Sequence, residues 1–200
     1  MNPLKSIKGT LILGFAVSIL IMVLLGGDGL INTRTKLWSM IVWLHVFVGV
    51  IWIGLLYYFN FVQAPAVAAG AADSDGPGPA AINKYVAPLA LLWFRWAALA
   101  TWLTGAAALE VMPGTSLGAA FSLQAGSQVI GLGAYMGTIM LFNVWVLIWP
   151  NQKKILGIVE ASADEIASGK FVALMASRTN TLLSVPMLMC MVGQGHGLPF

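Results

Sequence analysis

The sequence predicts an all-α integral membrane protein: a bundle of five transmembrane helices, N-terminus cytoplasmic and C-terminus periplasmic. Three observations predict it. Hydrophobic residues make up 59% of the 200 and charged residues only 8%, against about 25% charged in a soluble domain. The mean hydropathy is +0.87. The apolar residues gather into five runs, about 10–26, 38–62, 86–109, 128–149 and 171–192, each near the roughly 20 residues that cross a bilayer as a helix.

The first run follows Lys5 and Lys8 and ends in Leu25-Gly26-Gly27-Asp28. That stretch lacks a small-x-small cleavage pattern, so the run reads as a retained anchor. The second run carries His45. Residues 64–84 are rich in Ala, Gly and Pro, with Asp73 and Asp75, and read as a surface loop. The third run contains Trp93-Phe94-Arg95-Trp96, and a second loop follows over 110–122. The fourth stops at Pro150. Residues 151–170 carry Lys153, Lys154, Glu160, Asp164 and Glu165 and read as a short polar helix at the interface. The fifth begins near Phe171. Trp38, Trp43, Trp102 and Trp149 fall near run ends, where interfacial anchors belong. No internal repeat divides the chain, which reads as one membrane domain over 1–200.

Orientation follows from Lys and Arg in short loops. With the N-terminus inside, the inner side holds Lys5, Lys8, Lys84, Lys153, Lys154 and Lys170, and the outer side holds Arg34 and Lys36, six against two.

Composition also excludes functions. A formal charge of +3, with no basic run interleaved with aromatics, leaves no nucleic-acid footprint. One cysteine, Cys190, in an apolar run permits no internal disulfide and reads as a buried inert thiol. There is no CxxCH haem attachment, P-loop, dinucleotide fingerprint, HExxH or GxSxG. The runs hold no carboxylate, which argues against a proton-coupled transporter built on membrane Asp or Glu.

Two polar layers remain. The outer one centres on His45. An ionisable side chain at membrane depth is costly and faces the bundle interior or a cofactor. Gly49, one turn on, removes a side chain from the same face. A histidine beside a bare strip suits axial ligation of a flat macrocycle, so haem b is the expected cofactor. The topology brings His196 to the same side, with Met189 and Met191 as alternative soft ligands. The other reading of His45 is an interhelical hydrogen bond. The inner layer is Asn60, Arg95, Asn143, Arg178 and Asn180, five polar side chains on four runs at similar depth. They read either as an anion or propionate site around Arg95 and Arg178, or as snorkelling arginines with interhelical amide bonds. Gly49, Gly54, Gly105, Gly131, Gly133 and Gly137 are expected at helix contacts.

Four stretches carry a family resemblance: Trp43-Leu44-His45 to Trp52-Ile53-Gly54, Phe94-Arg95-Trp96 with Thr101-Trp102-Leu103-Thr104-Gly105, Met136-Gly137 through Asn143-Val144 to Pro150-Asn151-Gln152-Lys153-Lys154, and Asn180 to Pro186 and on to His196. Together they resemble the membrane domain of bacterial membrane-bound urate oxidases, the urate oxidase N-terminal family. The resemblance implies a bacterial inner membrane location and motif positions for His45, Asn143 and His196. The second run is also similar, more loosely, to the His-containing helix of other haem-associated membrane proteins. The chain departs from the family pattern at Ala97, where an acidic residue follows the Phe-basic-Trp triplet, and it lacks a glycine-rich His motif. Its 200 residues hold no cytochrome c domain.

Three functions compete. The first is a redox membrane subunit that binds haem b and passes electrons to a separate c-type cytochrome. The second is a non-catalytic accessory subunit working beside other membrane subunits. The third is an oxidase of urate or a similar flat anion, acting with a separate cytochrome, for which the residues nominate no general base. Membrane lipid is a partner in all three.

Overall fold

The computed structural model describes residues 2–25 and 34–198, so Gly26 to Thr33, and with them the loop between the first two runs, lie outside the described residues, as does the Arg34 side chain. The described residues are mostly helical, with no strand among them. After a short turn at Pro3–Lys5 come α1 (Ile7–Leu25), α2 (Arg34–Tyr58), α3 (Ala64–Ala72), α4 (Ala87–Val111), α5 (Leu117–Phe121), α6 (Gln128–Phe142), α7 (Trp149–Ile155) and α8 (Ala163–His196).

Four helical stretches are long and apolar enough to cross a membrane: Ile7–Leu25, Thr35–Ala72, Ile82–Val111 and Gln128–Ile155. The chain has the build of a membrane protein. The 34-residue α8 is not among those four, because Arg178, Asn180 and the Ser and Thr residues around them lower its hydropathy.

Three of these stretches contain a wide π-helical turn, at Phe59–Gln63, Ile82–Val86 and Asn143–Ile148. Each is followed two residues later by a proline: Pro65, Pro88 and Pro150. Proline lacks an N–H and its ring clashes with the carbonyl four residues back. A widened turn relieves both problems, so the helix passes through. Two sequence expectations are corrected as a result. The fourth run does not stop at Pro150 but continues as α7. The segment 64–84 is not an open loop, because α3 extends the second helix to Ala72 and helix resumes by Ile82. Its alanines are the strongest helix formers and outweigh the Pro and Gly signals there. Residues 151–170 are likewise not one polar helix. The chain turns at Gly157 (φ 69°), and Ser162 starts α8 with a reciprocal capping box to Glu165. The 110–122 loop holds the short α5, capped by the Ser116 side chain.

The core is built by α2 against α4 and by α8 against α6 and α7. Its buried residues include Trp52, Leu56, Phe94, Ala98, Met140, Val144 and Met187. Along α8 the buried stripe is Gly169, Ala173, Ala176, Asn180, Ser184, Met187, Cys190 and Gly193. Small residues dominate it, which lets backbones approach closely. Cys190 is buried and free. The peripheral α1 buries no residue and leans on α2 through Phe15, edge-on to Trp43 and Phe47 at 5.5 and 5.1 Å.

The glycines divide into two groups. Gly49 faces Thr101, Gly105 faces the His45 ring, Gly133 faces Cys190 and Met191, and Gly131 lies under the Ala120 carbonyl. Gly54 and Gly137 have open space where a side chain would stand, so neither is a contact glycine as expected.

Candidate functional site

His45 is seated by α4. Its Nδ1 lies 2.9 Å from the Thr101 carbonyl oxygen and 3.3 Å from Thr104 Oγ1. A carbonyl only accepts, so Nδ1 is the protonated nitrogen and Nε2 of the neutral ring keeps its lone pair. The Thr104 hydroxyl donates back to the Ala100 carbonyl at 2.7 Å, leaving its oxygen free to accept from Nδ1. Gly105 makes room for the imidazole. The α4 cradle for His45 is therefore Thr101, Thr104 and Gly105, three residues within one helical turn. In the sequence this stretch stands out only as part of a motif. Its signal is two threonines three apart with a glycine next to the second, one side of a helix left small and polar.

The remaining outer-layer residues are dispersed. Gly49 packs on Thr101, so the strip beside His45 is covered by α4 rather than bare. Met189 is exposed on α8, Met191 packs against the core, and His196 is exposed at the end of α8. The α6–α8 register follows from Gly133 facing Cys190 and Asn180 bonding the Met140 carbonyl. It sets Thr138, which bonds Trp102, near Leu183. His196 stands thirteen residues beyond that level, about 20 Å of helix rise. The bonds of His45 therefore run to α4, and no contact is recorded between it and His196 among the described residues.

Two turns inward from His45, Trp52 is 2% exposed, and its indole N–H has no acceptor. A buried donor without a partner costs free energy. Among the described residues no group of three His, Cys, Asp or Glu could hold a metal ion.

The inner layer resolves into two parts. Asn143 Nδ2 donates to Asn180 Oδ1 at 2.8 Å, and Asn180 Nδ2 donates to the Met140 carbonyl at 3.0 Å. Asn60 Nδ2 donates to the Leu56 carbonyl and to Ser177 Oγ, at 2.9 and 2.8 Å. Tyr57 and Ser184 pair at 3.0 Å. These amides tie α2, α6 and α8 together as interhelical bonds. The arginines stand apart from them. Arg95 lies over the Trp149 ring, 3.8 Å from its centre, and Arg178 is exposed on α8. The structure does not bring the two together as one anion site. Trp102, expected as an interfacial anchor, instead donates to Thr138 Oγ1 at 2.9 Å and links α4 to α6.

Residues 114–200 match the urate oxidase N-terminal family. No curated protein and no solved structure matches the chain. The urate oxidase N-terminal match runs from the turn before α5 to the end of the chain. It includes Asn143, the Pro150 to Lys154 stretch of α7, Asn180 and His196, two of the four stretches that carried the resemblance. His45, Arg95 and the α2–α4 pair lie before it.

Proposed function

We propose that this chain is a multi-pass subunit of a bacterial inner-membrane redox system and that it holds haem b through Nε2 of His45. The observation that carries the reading is the hydrogen bond from His45 Nδ1 to the Thr101 carbonyl at 2.9 Å. Ligating histidines donate their other ring nitrogen to a carbonyl or carboxylate, which fixes the tautomer and raises ligand basicity. The donor chemistry of His45 fits the group. When bound, haem supplies a one-electron carrier. The chain's own residues do the rest. Thr101 and Thr104 hold the imidazole with Nε2 unprotonated, Gly105 gives the ring its seat, and the helices exclude water. The unpartnered Trp52 N–H is a donor available to an acceptor that enters the same helix pair.

In this reading α8 is a fifth crossing over about 171–192, antiparallel to α6, with the N-terminus cytoplasmic and the C-terminus periplasmic. Electrons pass to a c-type cytochrome or a further membrane subunit. His196 and Met189 both stand away from the level of His45 and are exposed, so in this reading the second axial position falls to water or to a residue of another subunit.

The covering of Gly49 by Thr101 favours the second reading, an accessory subunit in which His45 is an interhelical lock. A reduced-minus-oxidised visible spectrum of the detergent-purified protein separates them. The redox reading expects a b-type signal that is lost in His45→Ala and kept in His196→Ala and Met189→Leu. Folded protein from haem-replete cells without that signal makes the accessory reading the answer.

A further inference from the structure

We infer that the inner end of the α4–α6 face is a binding site for one anionic phospholipid. Its phosphate would be held between Arg95 and Lys153 at Trp149, and one acyl chain would lie in the groove above. The inference rests on the helices spanning a membrane and is independent of any cofactor.

The charges come first. Arg95 follows two aromatics in an apolar helix, and its guanidinium stacks on the Trp149 indole. Lys153 also reaches that ring, with Nζ 5.9 Å from its centre. Two cations therefore share one indole, which attracts both through its π face but neutralises neither. Of the acids on this side of the molecule, Glu160, Asp164 and Glu165, Glu165 is paired with Lys154 at 3.2 Å. Among the described residues neither Arg95 nor Lys153 has an ion-pair partner. Two cations held this close repel each other, and a phosphate oxygen cluster accepts from both.

The groove comes second. An apolar channel of about 450 Å³ runs between α4 and α6, lined by Trp96, Leu99, Trp102, Leu103, Phe142 and Trp145 among others. Its inner end is the edge contact of Trp96 with Trp145, ring centres 5.4 Å apart. Arg95 adjoins Trp96 in sequence, and Trp149 stands four residues beyond Trp145, so the cations sit at the mouth of the groove. From Trp96 the channel rises to Leu103, about 10 Å of helix, toward the membrane midplane. Cations at the headgroup end and an apolar trough leading inward are the order of parts in an inner-leaflet lipid. Basic pockets between helices on the cytoplasmic side bind anionic headgroups in this manner. A free phosphate would leave the three tryptophans of the trough unused.

Those tryptophans also supply the readout. The full chain in mixed micelles is titrated with phosphatidylglycerol brominated on its acyl chains, and separately with brominated phosphatidylcholine, and quenching of tryptophan emission is followed. The parent is expected to prefer phosphatidylglycerol about fivefold, the ratio from one basic residue at a membrane surface. Lys153→Gln is a polar-for-polar change in the last turn of α7 and is expected to halve the preference at least. Arg95→Gln is likewise expected to halve the preference at least. Glycerol 3-phosphate in millimolar excess is expected to displace nothing. Equal quenching by the two lipids in the parent, an unchanged preference in Lys153→Gln, or displacement by glycerol 3-phosphate each overturns the proposal.

Discussion

The imidazole of His45 rests on the backbone of Gly105: a methyl group built on that glycine would stand 2.9 Å from Cε1 and 3.2 Å from Nδ1. Both atoms belong to a ring already fixed by the Thr101 carbonyl, so the ring cannot yield without losing that bond. Gly105→Ala is therefore expected to destabilise the bundle by about 1–2 kcal/mol through overpacking, although alanine is the better helix former. It is also expected to free the tautomer. In ¹⁵N spectra of selectively labelled histidine, the parent should show the Nδ1–H form alone, and Gly105→Ala should show both forms. A parent with Nε2 protonated removes the basis for ligation through that atom.

A second prediction concerns the amides. Asn180 is fully buried and bonds both Asn143 and the Met140 carbonyl. Asn180→Ala leaves the buried Asn143 amide without its acceptor and takes one of two donors from the Met140 carbonyl, and a loss of about 2 kcal/mol is expected. Asn143→Ala alone breaks only the Asn–Asn bond and should cost less. Combined, the two changes should cost less than their sum, with a coupling near 1 kcal/mol, in the upper part of the range for interhelical bonds in membranes. Reversible unfolding of the four proteins in mixed micelles measures it. Strict additivity would show that the bond contributes nothing.

These residues also mark how far the sequence could be read. The depth of each polar side chain along its helix was legible, because length and hydropathy locate the crossings. Asn143 and Asn180 were placed in one layer on that basis, and they meet. Direction around the helix axis was not legible. A membrane helix is apolar on its lipid and bundle sides alike, so it lacks the two-faced contrast that orients a soluble helix. Arg95 and Arg178 share the depth of the asparagines, yet one stacks on Trp149 and the other is exposed. His45 was singled out because it is ionisable, while its partner, a backbone carbonyl on α4, leaves no trace in residue identity. The 64–84 segment was misread because its Pro and Gly residues signal a loop. Only the backbone shows that a π-helical turn ahead of Pro65 carries the helix past it.

A third prediction compares two indoles in one groove. Trp102 and Trp145 are both half-buried and both line the α4–α6 channel. The Trp102 N–H bonds Thr138 Oγ1, whereas the Trp145 N–H is buried without a partner. Replacement by phenylalanine removes similar volume from each. Trp102→Phe should therefore cost about 1 kcal/mol more than Trp145→Phe, the net worth of one hydrogen bond. Thermal unfolding of the two variants side by side checks this, and an equal loss would mean the Thr138 bond adds no stability.

The last prediction is a pH dependence at the start of α8. Glu165 accepts a hydrogen bond from the Ser162 backbone N–H at 2.9 Å and pairs with Lys154 at 3.2 Å. These contacts, the backbone bond foremost, hold its carboxyl below the usual glutamate range. A carboxylate depressed in the folded state contributes stability that is fully present above its unfolded value and fades as pH falls through the folded one. Glu165→Ala should therefore speed amide exchange in the first turn of α8 at neutral pH. The difference from the parent should close as the solution is acidified below the ordinary glutamate range. Glu165→Gln keeps the capping geometry but cannot pair with Lys154. Its exchange should lie between the two at neutral pH and change little on acidification. A parent-to-alanine difference that persists unchanged into acid would show that the carboxylate charge has no part in holding the helix start.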